Sequence, residues 1–321
     1  MNTAFRERIT ASYLTRGYLI CLVATTLWST NAIFIRYLNQ TYQMPPLVLA
    51  FWRDFIVTIV LGIILTVFNP HRLHLDRKNF GFIFLYGISL TLLNSLWTIS
   101  VTVNGAAVST VLAYSSAAYT AVLGWRFLGE SLSRLKIIAV TLSLLGCIFV
   151  AGAYDPSTWL LNPLGVVTGL ASGLCFAFYT LCGRSASKRS IDPWTGLLYS
   201  FAIASAFLFL LNLVSAWLPT GAVAADFFWL GDALAGWLVL FILAVLPTLG
   251  GYGLYMVSLT YLPASIANIL ATLEPVLTAI LAYLLLAERF TSPQVIGSLL
   301  IISGIVVLAL RSERAAAQEA F

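Results

Sequence analysis

The chain has 321 residues, of which 60% are hydrophobic and only 9% charged, with a formal net charge of +5. Soluble domains carry nearer a quarter of charged residues, so this composition excludes an ordinary globular protein and points to a chain built for lipid. The excess of positive charge does not mark a nucleic-acid site, because its placement along the chain follows membrane topology.

A helix needs roughly 20 apolar residues to cross the hydrocarbon core. Ten such segments run in chain order at 18–38, 47–68, 80–102, 106–125, 135–153, 163–182, 193–217, 236–257, 262–285 and 294–310. The first 17 residues are polar, and the apolar run behind them is too long for the core of a cleavable signal. The first segment holds Trp28-Ser29-Thr30-Asn31, an unusually polar stretch for a spanning helix. Met44-Pro45-Pro46 opens the second, as prolines do in a first helical turn, and that segment carries Trp52-Arg53-Asp54. A basic loop at 69–79 includes His71 and His74, a lone pair with no further ligand, so no metal site is expected.

The third segment holds Asn94, Ser95, Trp97 and Thr98, and turns at Asn104-Gly105 into the fourth. Asp155-Pro156 and Asn162-Pro163 bracket the connection between two halves. Asp192-Pro193 starts the seventh segment with an acid at the N-cap and proline at the first position. The longest loop, 218–235, contains Asp226 and Asp232. Pro247 and Gly250-Gly251-Tyr252-Gly253 in the eighth segment should loosen or kink it, so Pro247, Gly250, Gly251 and Gly253 are hinge candidates. Cys21, Cys147, Cys175 and Cys182 all fall within apolar segments and read as small buried side chains.

With the N-terminus in the cytoplasm, the inside segments collect Arg6, Arg8, Arg16, Arg72, Arg77, Lys78, Arg126, Arg134, Lys136, Arg184, Lys188, Arg189, Arg311 and Arg314. The outside segments collect only Arg36 and Arg289, and Arg53 stays within a helix. Cytoplasmic loops carry this excess, which puts both termini inside.

The chain repeats itself. Moving residues 106–151 forward by 158 positions brings Ala106, Leu112, Ala113, Thr120, Ala121, Leu123, Leu128, Glu130, Ile138, Leu142, Gly146 and Ala151 onto identical residues. Nearer the N-terminus the shift is 148, which pairs Gly17 with Gly165, Arg36 with Arg184 and Pro45 with Pro193. Each half, 17–153 and 163–310, then holds five helices. Five is odd, so the second half is inserted upside down. The expected fold is an all-α polytopic membrane protein of ten spans in two inverted five-helix repeats. Inverted repeats are a transporter architecture, with the substrate near the bilayer midplane.

Glu274-Pro275-Val276 through Leu286-Ala287-Glu288-Arg289-Phe290, with Gln294, Gly297 and Gly304, resembles the repeat signature of the drug/metabolite transporter (DMT) superfamily, in its ten-helix EamA-type branch. The first half matches more loosely, through Leu128-Gly129-Glu130 and Gly146, with Ser116-Ala117 in place of the proline-bearing pair. Trp28-Ser29-Thr30-Asn31 and Arg53 are similar to that family's first- and second-helix motifs. Within the family the chain looks most like the YddG-type exporters of aromatic amino acids. The resemblance implies export of small organic metabolites, aromatic and other neutral amino acids first, across a bacterial inner membrane.

Glu274 is the sharpest site candidate. It falls about 16 Å along a helix that starts near Pro263, at the midplane, where a carboxylate by default marks a substrate or proton path. Its face reads Ala267, Ala271, Glu274, Thr278 and Ala282, and the matching face of the fourth segment reads Ser109, Ala113, Ser116, Thr120 and Gly124. Small faces permit close packing or leave a cavity. Glu274 either meets a substrate ammonium, takes a proton, or is a buried carboxyl bonded to a neighbouring helix. Arg53 is placed to clamp a substrate carboxylate with its planar fork, to snorkel outward, or to pair with a fixed acid. Adjacent helical residues do not face each other, so Asp54 is not its expected partner. Asn31, Asn94, Trp28, Trp97, Tyr179, Tyr199, Tyr252 and Tyr255 are further substrate-binding candidates. The repeat pairs Asn31 with Tyr179, Asn94 with Tyr252 and Trp97 with Tyr255. Ser116 stands where the second half has Glu274. Glu130 and Glu288 sit at helix ends, where an acid satisfies the free amides of the next helix.

These residues imply a small-molecule substrate and the lipid bilayer as partners. No phosphate-binding loop or nucleotide-binding segment occurs, so no cofactor and no ATPase subunit are expected. A membrane-embedded enzyme would need clustered Asp, His or Ser near an interface, and both histidines lie in one loop. A passive channel would show rings of like charge.

Overall fold

The computed structural model describes residues 3–104, 106–150, 152–155, 163–214, 227–286 and 291–318. Expectations at Gly105, Pro156, Asn162, Asp226 and 287–290, which includes Glu288 and Arg289, lie outside the described residues. The described chain is helical throughout and contains no strand. Its helices are α1 (Thr3–Ser29), α2 (Asn31–Tyr42), α3 (Pro46–Phe68), α4 (Phe80–Asn104), α5 (Ala106–Tyr114), α6 (Ser116–Leu128) and α7 (Arg134–Val150). They continue with α8 (Pro163–Lys188), α9 (Pro193–Val214), α10 (Leu234–Leu243), a π-helical turn (Ala244–Gly250), α11 (Gly251–Tyr261), α12 (Ala264–Ala271), α13 (Glu274–Leu286) and α14 (Ser292–Gln318).

Seven helical runs are long and apolar enough to cross a membrane: Tyr13–Tyr42, Pro46–Phe68, Arg77–Val101, Pro163–Lys188, Pro193–Val214, Leu234–Tyr261 and Ala264–Leu281. Ser292–Leu308 is apolar but shorter. The expected spans at 106–125 and 135–153 are not among the seven. The first is split at Ser115 into halves of 9 and 13 residues, and the second is a helix of 17.

The splits are the main departure from expectation, and each coincides with a serine or threonine hydroxyl bonded to the backbone. At the breaks a hydroxyl reaches back three residues, and at Thr30, Ser115 and Thr272 the backbone N–H of the same residue takes the same carbonyl, so the helix tightens there. Ser29 Oγ bonds Thr26 O and Thr30 Oγ1 bonds Leu27 O, both at 2.7 Å. Ser115 Oγ bonds Leu112 O at 2.6 Å, and Thr272 Oγ1 bonds Ile269 O at 2.6 Å. Ser, Thr and their backbone bonds compete with the helix ladder in this way. Pro247 lacks the N–H that would bond Leu243 O. The hydroxyl of Thr248 takes that carbonyl at 2.8 Å, and the backbone widens into the π turn.

The first core is built on α1, α3, α4, α8, α9, α11 and α12, around Tyr86, Tyr179, Tyr255, Phe201 and Leu259. The N-terminus of α9 forms as the sequence dictates, with Asp192 Oδ1 accepting from Trp194 N at 3.0 Å and Thr195 N at 3.3 Å. Helices α7 and α14 cross at two glycines. A Cβ on Gly146 would stand 2.6 Å from Gly297 O, and one on Gly297 would stand 2.6 Å from Gly146 O. Backbone meets backbone there, the small-residue packing that holds helices together in lipid, where no water is present to drive them together. Gly146→Val is therefore expected to cost about 2 kcal/mol of overpacking. A lowered melting temperature in detergent, with Gly81→Val as the open-space control, measures it; a Cβ on Gly81 meets nothing within 4 Å.

Candidate functional site

Three of the helix breaks converge on one region. Thr278 Oγ1 on α13 bonds Ser29 O at the α1/α2 break at 3.1 Å. Tyr114, the last residue of α5, donates its hydroxyl to Glu274 Oε2 on α13 at 2.5 Å. Glu274 is thus not in the middle of a continuous helix. It opens the half-helix α13, with Pro275 behind it, and its partner Tyr114 sits at the equivalent break of the first repeat. The other carboxylate oxygen, Oε1, has no partner among the described residues and is not sealed from the surface.

Arg53 and Asp54 correct the sequence expectation, because they pair with each other. Arg53 Nε donates to Asp54 Oδ1 at 3.2 Å, and Asn94 Nδ2 donates to Asp54 Oδ2 at 2.6 Å. Adjacent Cβ atoms diverge on a helix, but the arginine stem is long enough for its near nitrogen to curl back. Asp54 is fully buried and Arg53 is 9% exposed. The aspartate fixes one edge of the guanidinium. Its two terminal nitrogens make no bond among the described residues and keep accessible surface.

A cluster of rings packs together on α1, α4, α8 and α11. Trp28 lies 4.9 Å from Tyr252 and 4.8 Å from Tyr255, centroid to centroid, and 6.1 Å from Phe176. Tyr179 lies 4.7 Å from Tyr86 with the rings tilted by 33°, and stands edge-on to Tyr252 at 5.9 Å. Tyr252 is within electrostatic range of Arg53, Asp54 and Glu274. The indole N–H of Trp28 and the side-chain oxygen of Asn31 are buried with no partner among the described residues. Buried polar atoms in that state are rare and call for a ligand, water or ion.

The glycines of the eighth segment serve close approach. Gly251 faces the Trp28 indole, where an added Cβ would stand 2.5 Å from Cδ1, and Gly253 faces the Trp194 ring. The small faces of the fourth and ninth segments turn to different neighbours: Thr278 bonds Ser29 O on α1 and Ser109 bonds Ser100 on α4, while Ser116 meets α12 through Asn268. Ser116 Oγ donates to Asn268 Oδ1 at 2.9 Å, Asn268 Nδ2 donates to Thr180 Oγ1 at 3.3 Å, and Thr180 Oγ1 meets Tyr255 Oη at 3.1 Å. Ser116 therefore lies in a structural relay. Tyr199 is set apart from the ring cluster. Its hydroxyl bonds Leu73 O at 2.7 Å beside an open recess of about 570 Å³ at the 69–79 loop. Trp97 is half-buried and makes no ring contact or hydrogen bond among the described residues. Glu130 does not cap the helix that follows it; it reaches Ala264 and Ser265 at the start of α12. Nothing in the sequence pattern marks Tyr114, Phe176 or Asn268, which the fold brings to this region. Among the described residues no cluster of His, Cys, Asp and Glu has the makings of a metal site.

The pattern of the EamA-like transporter family matches residues 15–152 and again 163–310. The chain belongs to that family. As an EamA-like protein it is a multi-pass membrane transporter. Over 315 residues it is 27% identical to the uncharacterized inner membrane transporter YicL of Salmonella typhimurium, covering 94% of this chain and 97% of that one. It is 29% identical over 244 residues to the threonine/homoserine exporter RhtA of the same species, three quarters of each chain. The Escherichia coli RhtA matches at 27% over 248 residues, 73% of each. One solved crystal structure superposes with a TM-score of 0.75 over 94% of this chain and 99% of the other, at 17% identity. That likeness shows a shared overall fold and nothing more.

Proposed function

We propose that the protein is a secondary exporter of amino acids, aromatic and other neutral ones, in the bacterial inner membrane. In this reading it has ten spans in two inverted five-helix halves, 17–153 and 163–310, with both termini cytoplasmic. The halves rock about the ring cluster to give alternating access. The π turn at Pro247 and the glycines at 250, 251 and 253 take up the bend.

One observation carries the substrate class. A fixed guanidinium and a carboxyl group each present an unpartnered, accessible edge, at Arg53 and at Glu274, and Tyr252 lies in the field of both. An α-amino acid carries the two complementary groups, a carboxylate for the arginine fork and an ammonium for the acid. The indole N–H of Trp28 and the Asn31 oxygen add one donor and one acceptor. The naming of RhtA as a threonine/homoserine exporter supports amino acids as the class, and the aromatic cluster supports flat side chains within it.

The test is efflux from proteoliposomes preloaded with labelled tryptophan, phenylalanine, threonine or homoserine. Saturable efflux, competed between these amino acids, is expected. Tryptamine and indole-3-propionate, which lack one charge each, should leave at least about tenfold more slowly, the 1.4 kcal/mol or more that one lost charged contact supplies. Equal rates for the three indoles would end the two-charge assignment. Conversion of a substrate without flux would favour an enzyme.

A further inference from the structure

Among the contacts between the two halves, one is made by a buried acid at the start of a helix. Glu130 lies just after α6, where Gly129 ends that helix in a left-handed turn. Its Oε1 accepts the backbone N–H of Ala264 at 2.6 Å, and its Oε2 accepts the N–H of Ser265 at 3.2 Å and the hydroxyl of the same serine. Lys136 on α7 donates to Ser265 Oγ at 2.8 Å and stands 3.6 Å from Glu130 Oε2. The two charged side chains are 8% and 5% exposed, and Ala264 and Ser265 are sealed.

Two features set this apart from an ordinary helix cap. The residue before α12 is Pro263, which has no side-chain acceptor; its carbonyl takes the N–H groups of Ile266 and Ala267, and the amides of Ala264 and Ser265 are satisfied across the repeat boundary. The cation also occurs in one copy alone. The 158-residue shift places Gln294 opposite Lys136, and that glutamine bonds locally, accepting from Thr291 N at 2.9 Å.

We infer that Glu130 and Lys136 are positioning residues for transport, forming a releasable ionic clamp that holds α12 of the second half against the first. A fixed joint between halves is served as well or better by apolar packing, whereas a buried charge pair is costly and becomes tolerable in water once the joint parts. Opening frees two amides and an acid together, all of which water satisfies. The clamp therefore has two states, closed and dry or open and wet. Helix α12 carries Asn268 and leads directly to Glu274, so releasing its first turn moves the wall of the site. The clamp rests on the rocking-halves reading but not on the identity of the substrate.

Cys21 supplies a native reporter. It is fully buried on α1 with Sγ 3.7 Å from Ala267 O on α12, so displacement of α12 uncovers it. The experiment uses full-length protein with Cys147, Cys175 and Cys182 changed to alanine, and follows maleimide labelling of Cys21 well below the melting temperature. Lys136→Met and Glu130→Gln should each raise the labelling rate about tenfold, the population shift expected when one partner of a buried pair is lost. Lys136→Arg keeps the cation and should label at the parent rate. If Glu130→Gln does not fold, Lys136→Met decides, because it leaves the carboxylate cap on α12 in place. A Lys136→Met protein that melts lower but labels at the parent rate shows a static strut and overturns the proposal. Because labelling needs no substrate, this outcome is separate from failure of the amino-acid assignment.

Discussion

Asp54→Ala is expected to destabilise the protein by about 3–5 kcal/mol, the usual cost of stripping the partner from a buried charge. Asp54 is fully buried and holds both the Nε edge of Arg53 and the amide of Asn94, at 3.2 and 2.6 Å. Its removal strands a guanidinium and an amide donor inside a helical bundle, where neither lipid nor packing replaces the lost acceptor. The double variant Arg53→Met/Asp54→Leu removes both charges and should recover most of that loss while abolishing efflux. Thermal unfolding in detergent gives the first comparison and proteoliposome flux the second. A double variant no more stable than Asp54→Ala would show that the pair holds α3 to α4 by more than charge compensation. If efflux survived in the double variant, Arg53 would not be a substrate ligand.

The contrast between Arg53 and Glu274 shows where sequence reasoning stops. The repeat and the acid within an apolar stretch could be read from residue types and spacing, because lipid tolerates so few polar side chains. The partner of Asp54 could not. A rule about Cβ directions excludes a neighbour in sequence, yet an arginine stem spans that gap. Likewise, hydrophobicity located the helix that contains Glu274 but not its break. A run of apolar residues carries no record of where the ladder of hydrogen bonds fails. The signals that did bear on it were local: hydroxyls at Ser29, Thr30, Ser115 and Thr272, and Pro275 one residue beyond Glu274. Tyr114 went unnoticed for the same reason, since only the break at Ser115 turns it toward Glu274. The repeat adds a physical lesson. Glu130 recurs as Glu288, but its grip on α12 depends on how the two halves meet, which no local pattern encodes.

Glu274→Gln is expected to lower efflux of tryptophan and threonine roughly ten- to a hundredfold, the loss set by about 1.5–3 kcal/mol for a hydrogen bond to a charged group. Glutamine is nearly isosteric, and its carbonyl oxygen can still accept from the Tyr114 hydroxyl that Glu274 Oε2 now accepts at 2.5 Å. The fold should therefore survive and the charge alone be lost. Tyr114→Phe removes the orienting bond but keeps the acid, so it should fall between wild type and Glu274→Gln. Two roles for the acid then separate by selectivity. If Glu274 meets the substrate ammonium, the glutamine variant should lose its preference for tryptophan over indole-3-propionate, while Arg53 still sets the preference over tryptamine. If Glu274 carries a proton instead, that selectivity should persist and the pH dependence of efflux should flatten. Full efflux with both properties unchanged would reduce Glu274 to a joint between α5 and α13, and the weight of recognition would shift to Arg53, Trp28 and Asn31.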